Sequence, residues 1–104
     1  MNYTAAAFLV DDNVKAVKVS YGDGKSQTYT FKTFDDTLKK DDLVVIPTDT
    51  RHYMTVGKVT ETDIVMNIND NVDYKWIIDK VDKTEYDRVL ELEKGIVEKV
   101  KQAE

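Results

Sequence analysis

Residues that could do chemistry are few, and most of them lie in one polar loop. The chain of 104 residues has no cysteine and one histidine. Thiolate nucleophiles, disulfides and centres built from several histidines are therefore excluded within a single chain. The histidine belongs to the segment Thr48-Asp-Thr-Arg-His-Tyr53, where loop residues of these types suit partner recognition. We predict that Arg51, His52 and Tyr53 bind a partner, and no pattern of an activated nucleophile accompanies them.

A second polar segment, Asn67-Ile-Asn-Asp-Asn-Val-Asp73, brings side-chain oxygens close together. A calcium loop of the EF-hand type needs a glycine at its sharp turn and a bidentate glutamate at its twelfth position. This segment has no glycine, and Ile78 stands at the twelfth position. A turn between strands explains it better. The sequence thus predicts no metal site, no cofactor and no enzymatic activity.

Basic residues accumulate around the first predicted hairpin, close to Tyr21 and Tyr29. Four lysines lie on or beside it: Lys15, Lys18, Lys25 and Lys32. Cationic side chains interleaved with aromatic rings are typical of proteins that bind single-stranded nucleic acid. Lysines on a hairpin are also typical of a solvated face that protects a sheet edge. Because the net charge is −5, we expect no broad binding to nucleic acid, although one local basic face stays open.

The residues that carry these candidates alternate in polarity, as strands do. Residues 14–21 and 27–33 alternate on both sides of Gly22-Asp-Gly24, which predicts a hairpin with a tight turn. Further strands are predicted over 43–46, 53–60, 64–68 and 72–81, with a bulge or bend at Gly57 and Trp76 in the core. The apolar residues 1–10 predict an N-terminal strand or edge element. Leu38 is the expected anchor of the polar connector that precedes residue 43.

After Val81 the apolar spacing changes to three and four residues, which predicts an amphipathic helix over 82–104. Asp82 and Glu85 fit a capping arrangement at its start. The helix covers more surface than a small barrel offers, so its apolar stripe either packs on the barrel or serves a second chain. For the second case we predict an oligomer interface through Val89, Ile96 and Val100.

These elements predict a single domain of the mainly β (α+β) class. A small antiparallel β-barrel or bent sheet of five to six strands, SH3-like or OB-like, occupies residues 1–81, and one C-terminal amphipathic helix occupies 82–104. A plain α+β meander is the alternative fold. The sequence has no signal-peptide pattern and no apolar run long enough to span a bilayer. We therefore predict a cytoplasmic protein that does not bind membranes.

Part of the chain resembles a known family. The segments Tyr29-Thr-Phe-Lys, Leu38-Lys-Lys-Asp-Asp-Leu-Val-Val-Ile-Pro47 and Val56-Gly-Lys-Val59, with Arg51 between the last two, resemble the N-terminal barrel of the primosomal replication-restart helicase. Asp41 stands where the pattern of that family has a turn glycine. The resemblance covers residues 29–59 and implies a barrel that holds the 3′ end of a DNA strand. The whole chain also looks like small uncharacterised proteins of tailed bacteriophages, which implies no biochemical function.

The sequence as a whole predicts a small acidic, non-enzymatic binding or adaptor module. The resemblance to phage proteins implies that it is encoded by a phage and acts in the host cytoplasm. It would recognise a protein partner, and the helix would assist homo-oligomerisation. One alternative is a barrel that binds single-stranded DNA or a 3′ end through the hairpin lysines. Another is an acidic inhibitor that mimics DNA and binds a host protein.

Overall fold

A computed structural model describes residues 2–22 and 27–104 and confirms a mainly β fold followed by one long helix. A 3-10 helix (Tyr3–Ala5) and a one-turn helix α1 (Ala7–Val10) precede the sheet. The strands are β1 (Lys15–Ser20), β2 (Thr28–Thr33), β3 (Leu43–Pro47), β4 (Met54–Glu61), β5 (Lys75–Trp76) and β6 (Asp79–Lys80). Their order in the sheet is β5-β2-β1-β4-β3-β6, and the sheet curls into a half-barrel. Helix α2 (Thr84–Ala103) completes the chain.

The core lies on the concave side of the half-barrel. Alternation along the strands points one set of branched side chains inward, and these are at most 7% exposed: Val17, Val19, Phe31, Leu38, Val44, Ile46 and Val59. Val17 and Val19 share this face as predicted, and Leu38 anchors the connector between β2 and β3 as predicted. Asp41 in that connector has a φ of 78°, the left-handed conformation that glycine adopts most readily.

A short segment, residues 75–81, joins the two edges of the curled sheet, and we call it the closing segment. Its first part, β5, pairs in parallel with β2, and its second part, β6, pairs antiparallel with β3. Successive amides hydrogen-bond opposite edges: Ile77 N–H donates to the Lys32 carbonyl and Ile78 N–H donates to the Val45 carbonyl, both at 2.9 Å. The continuous strand predicted over 72–81 is therefore two short pairings that share one chain segment.

Two predicted elements are absent from the described residues. Residues 64–68 form no strand, although Ile64 N–H donates to the Ala16 carbonyl at 3.1 Å. Residues 3–10 are helical rather than extended. This N-terminal segment covers the convex side of the sheet, where Ala5 and Ala16 are 1% and 2% exposed. Asn2 holds it in place by hydrogen bonds between its side-chain amide and the Asp70 and Val72 carbonyls. Within residues 3–10 only Ala5 is buried, whereas Tyr3, Leu9 and Val10 are 63–86% exposed, so packing explains only part of this apolar run.

Gly57 permits a close approach between strands instead of forming the predicted bulge. The irregularity in the pairing of β1 with β4 lies between Lys18 and Val19. A Cβ atom at Gly57 would collide with Val19 Cγ1 and would lie 3.0 Å from the Ser20 carbonyl oxygen. The missing side chain therefore lets β4 lie against β1 at this point. Gly22, the first residue of the predicted hairpin turn, has a φ of 78°. The other two residues of that turn, Asp23 and Gly24, lie outside the described residues.

Helix α2 projects from the half-barrel and buries none of its residues. The molecule is accordingly elongated, with extents of 69 × 28 × 23 Å. The Asp82 carboxylate accepts a hydrogen bond from Thr84 N–H at 2.9 Å. The predicted capping arrangement is otherwise not formed, because the N-cap residue is Lys83 and Glu85 pairs with Arg88. The sequence left open whether the apolar stripe packs on the barrel or serves a second chain. The structure excludes the first alternative, because the helix does not pack on its own barrel.

Substituting Gly57→Ala tests the close approach of β4 to β1. We expect a loss of about 1–3 kcal/mol in the free energy of unfolding, because the added methyl group overpacks a buried position. Gly95→Ala is the matched control, since nothing lies within 4 Å of a Cβ there. It should raise the helix content by circular dichroism, with a gain of about 1 kcal/mol in helix propensity. Denaturant unfolding in which Gly57→Ala is as stable as the parent would contradict this account.

Candidate partner-binding site

A groove with a volume of about 650 Å³ lies at one end of the half-barrel. The end of β1, the start of β2, the loop after β3 and residues 72–75 form its walls. Its apolar lining consists of Tyr21, Tyr29, Phe31, Pro47, Val72 and Tyr74. Its polar rim includes Thr48, Asp49, Asp73 and Lys75. We call this feature the aromatic groove.

Tyrosine rings dominate the groove. The rings of Tyr21 and Tyr29 lie 5.1 Å apart between centroids and are inclined at 37°. Alternation along β2 places Tyr29 on the same face as Phe31, but Tyr29 is 44% exposed and Phe31 only 5%. The difference arises because Tyr29 lies near the start of β2, where the groove opens to solvent. Its ring is therefore available to a ligand.

The groove has an acidic rim. Asp49 pairs with Lys75 at 3.5 Å between the carboxylate and the ammonium, and the Asp49 side chain is 94% exposed. Asp73 is also exposed. Two carboxylates and one lysine leave the rim with an excess of negative charge, in keeping with the net charge of the chain. A cationic group entering the groove would be attracted both by these carboxylates and by the faces of the tyrosine rings.

Tyr74 connects the floor of the groove to the N-terminal segment. Its hydroxyl donates to Asp70 Oδ2 at 2.8 Å, and its backbone N–H donates to Thr4 Oγ1 at 2.9 Å. Burial, together with the hydrogen bond to and charge of Asp70, raises the pKa of Tyr74 to about 12. The ring is 5% exposed, so Tyr74 supports the groove rather than offering a free surface.

The predicted recognition residues form a tip beside the groove. Arg51, His52 and Tyr53 make a single 3-10 turn between β3 and β4, and all three are exposed. Tyr53 N–H donates to the Thr50 carbonyl at 2.8 Å and the Tyr53 carbonyl accepts from Thr48 N–H at 3.1 Å, which closes the turn. His52 and Tyr53 have φ values of 62° and 57°. Left-handed conformations outside glycine are uncommon and cluster at functional sites.

Sequence reasoning missed the apolar residues that continue this tip along β4. Met54 and Val56 are 49% and 52% exposed, and they alternate with Thr55 and Gly57 so that both lie on the convex side. They follow Tyr53 directly, so the tip and the strand form one exposed surface. The alternation of residues 53–60 contained this signal, but it does not reveal which side of a curled sheet is the core.

The hairpin lysines do not share one free face. Lys32 is 6% exposed, donates from Nζ to the Thr4 carbonyl at 2.6 Å and lies 4.9 Å from the Trp76 ring centroid. Burial lowers its pKa, and the charge of Asp73 opposes that shift. Lys18 pairs with Glu61 at 3.7 Å. Lys15 is exposed, and Lys25 lies outside the described residues. The prediction that Lys32 belongs to a basic face is wrong, because the N-terminal segment covers it.

Trp76 is not a core residue, contrary to the prediction. It is 38% exposed and stacks on Phe34, with ring centroids 5.0 Å apart and planes inclined at 16°. Both rings line a second cavity of about 260 Å³, together with Asp35, Asp79 and Lys80 among others. The closing segment turns over at this point, so Ile77 packs against the core in place of Trp76.

The raised pKa of Tyr74 predicts a late step in the absorbance titration of the protein that belongs to this residue. Since the folded pKa of about 12 exceeds the ordinary value near 10, the neutral phenol contributes stability that is complete below about pH 10. That contribution is lost as the pH rises through the folded pKa. Absorbance of the tyrosinate band should show this late step in the parent and not in Tyr74→Phe. Circular dichroism at each pH identifies unfolding, and a late step that persists in folded Tyr74→Phe would refute the assignment.

Within residues 2–22 and 27–104, no helix combines the length and apolar content needed to cross a bilayer. The same residues contain no cluster of three or more metal-ligating side chains. No family model matches the chain, and no curated protein or solved structure is significantly similar to it. Its function is therefore inferred from the chemistry of the groove, the tip and the helix.

Proposed function

We propose that this chain is a non-enzymatic protein-recognition module that binds an extended segment of a partner protein in the aromatic groove. The observation that carries the proposal is the open groove of about 650 Å³ between Tyr21, Tyr29 and Pro47. Tyrosine is enriched at protein interfaces because it supplies a large apolar surface and a hydrogen-bonding group with few rotatable bonds. The role assigned to the loop tip in the sequence analysis fits this groove, since the same loop forms one wall.

The shape of the groove favours an extended ligand that contains proline. Grooves lined by aromatic side chains bind polyproline II segments because flat prolines pack against rings and the ligand loses little conformational entropy. The tilted pair of Tyr21 and Tyr29 provides such rings side by side. The Tyr29 hydroxyl donates to Gln27 Oε1 at 3.2 Å, and it would exchange this partner to donate to a backbone carbonyl of the extended ligand.

The charge on the rim of the groove further restricts the class of ligand. Asp49 and Asp73 lie on the rim of the groove, and the chain as a whole carries −5. An arginine or lysine in the bound segment would pair with a rim carboxylate and lie against a tyrosine face. An acidic segment would be repelled. The proposed partner segment is therefore rich in proline and basic.

The loop tip and the exposed side of β4 extend the contact beyond the groove. Arg51, Tyr53 and Met54 are residue types that are enriched in protein interfaces. The backbone hydrogen bonds at Thr48 and Thr50 hold the turn, so little conformational freedom would be lost when a folded part of the partner binds. We assign specificity for the partner to this tip and anchoring to the groove.

The groove predicts a defined pattern of binding for a synthetic peptide with two prolines in a Pro-x-x-Pro arrangement and a flanking arginine. Titration followed by amide NMR shifts should perturb residues 28–31, 48–49 and 72–75. Tyr29→Ala should weaken binding roughly tenfold or more, the usual effect of removing an aromatic anchor. A peptide with glutamate in place of arginine should bind more weakly than the parent peptide.

Phe34→Ala is the matched control, because Phe34 is an exposed aromatic residue that lines the second cavity and not the aromatic groove. It should bind the peptide as the parent does. The proposal is wrong if the peptide shifts no groove amide at high concentration, or if both variants lose binding equally.

An exposed pair of stacked aromatic rings supports binding of single-stranded DNA as a second candidate function. The stacked pair of Phe34 and Trp76 is exposed beside Lys80, and base stacking on such rings is how sequence-tolerant binders hold single strands. Asp35 and Asp79 in the same cavity oppose phosphate binding. In this case Phe34→Ala, and not Tyr29→Ala, would abolish binding of a labelled single-stranded oligonucleotide at low salt, where phosphate contacts are strongest.

A further inference from the structure

Helix α2 carries an apolar stripe along its whole length that the half-barrel does not cover. At 100° per residue, seven large apolar side chains fall on one side of the helix, and they are 40–63% exposed: Tyr86, Val89, Leu90, Leu92, Ile96, Val97 and Val100. Gly95 and Gln102 fall on the opposite, polar side. Most of the stability of protein helices comes from packing such a stripe rather than from helix propensity. We therefore expect a second polypeptide chain to bury this stripe.

We propose that α2 pairs antiparallel with α2 of a second copy of this chain, so that the protein is a dimer. This inference goes beyond the proposed peptide recognition and does not depend on it. Three features of the helix support a second copy in this orientation: the distribution of its charges, the place of Glu93 on the stripe and the short connection to the half-barrel.

Charge is divided between the two halves of the helix. The first half, residues 84–93, has the four carboxylates of Glu85, Asp87, Glu91 and Glu93 and one arginine. The second half, residues 94–103, has the three ammonium groups of Lys94, Lys99 and Lys101 and one glutamate. In an antiparallel pair, each acidic half lies against the basic half of the other copy. A parallel pair would place like charges together along the full length, which is unfavourable.

Glu93 lies within the apolar stripe, three residues before Ile96 and four after Val89. A parallel, in-register pair would place Glu93 of one copy against Glu93 of the other and bury two like charges. An antiparallel pair centred between residues 94 and 95 instead places Glu93 opposite Ile96 of the second copy. Lys99 of that copy is then within one helical turn and can neutralise the carboxylate. A polar residue on such a stripe selects the register and orientation of helix pairing.

The short connection between the half-barrel and α2 also favours the antiparallel orientation. Val81 N–H donates to the Leu43 carbonyl at 2.9 Å, and α2 begins at Thr84, so only residues 82–83 separate the sheet from the helix. Paired helices lie about 8–10 Å apart, whereas the molecule is 23–28 Å across. A parallel pair would place the two half-barrels side by side at the same end of the helices. An antiparallel pair places them at opposite ends of a helix about 30 Å long.

The orientation can be tested directly because the chain has no cysteine. In the proposed register Tyr86 lies opposite Ala103 of the second copy. Under mild oxidation, an equimolar mixture of the full-length variants Tyr86→Cys and Ala103→Cys should form a disulfide between the two variants. Each variant alone should stay largely reduced. Efficient disulfide formation by either variant alone would show that equal positions face each other and would overturn the antiparallel arrangement.

Sedimentation of the unmodified chain measures the pairing itself. We expect a species of twice the chain mass of 11.9 kDa at micromolar concentration. Ile96→Lys should raise the dimer Kd at least about tenfold, because it places a charge on the buried stripe. Gln102→Lys is the matched control on the polar side and should leave the Kd unchanged. A monomer at all concentrations, or equal weakening by both variants, would overturn the proposal.

Discussion

The half-barrel depends on hydrogen bonds from one short segment to both edges of a curled sheet. Residues 75–81 pair with β2 through the amide of Ile77 and with β3 through the amides of Ile78 and Val81. Exposed strand edges are prone to pair with other chains, and this segment occupies both edges at once. The small core behind it therefore stays closed without a disulfide, and the same segment fixes what lies at its two ends. Tyr74 and Lys75 stand in the groove at one end, and α2 begins three residues after Val81 at the other.

Buried and exposed apolar side chains lie in different parts of the molecule. Side chains such as Val19 and Ile46 are fully buried inside the half-barrel, where they stabilise the fold. Large apolar side chains remain exposed in the groove, at the tip and along the helix. Tyr29 lies in the aromatic groove, which in the proposed function suits an extended segment. Tyr53 lies at the exposed tip, which suits a folded partner. In the proposed function, the acidic rim suits a basic ligand, which a chain of net negative charge can bind.

Local pattern predicted those features that depend on neighbours in the sequence. Alternation placed Val17 and Val19 on the core face, and the three- and four-residue spacing predicted the helix and its stripe. The features that it missed depend on distant contacts. Alternation places Lys32 on the opposite face from Phe31, but the burial of Lys32 follows from residues 2–5 lying over that face. Trp76 is exposed because the closing segment crosses from one edge of the sheet to the other, and alternation carries no signal for such a crossing.

Hydrogen exchange of the closing segment tests the central claim most directly. If residues 75–81 hold the two edges together, the amides of Ile77 and Ile78 open only when the whole half-barrel unfolds. Their exchange in the intact chain should then give the same free energy of opening as the amides of β1 and β4. Exchange of Ile77 and Ile78 by local opening, at a free energy well below that of the core strands, would contradict the account.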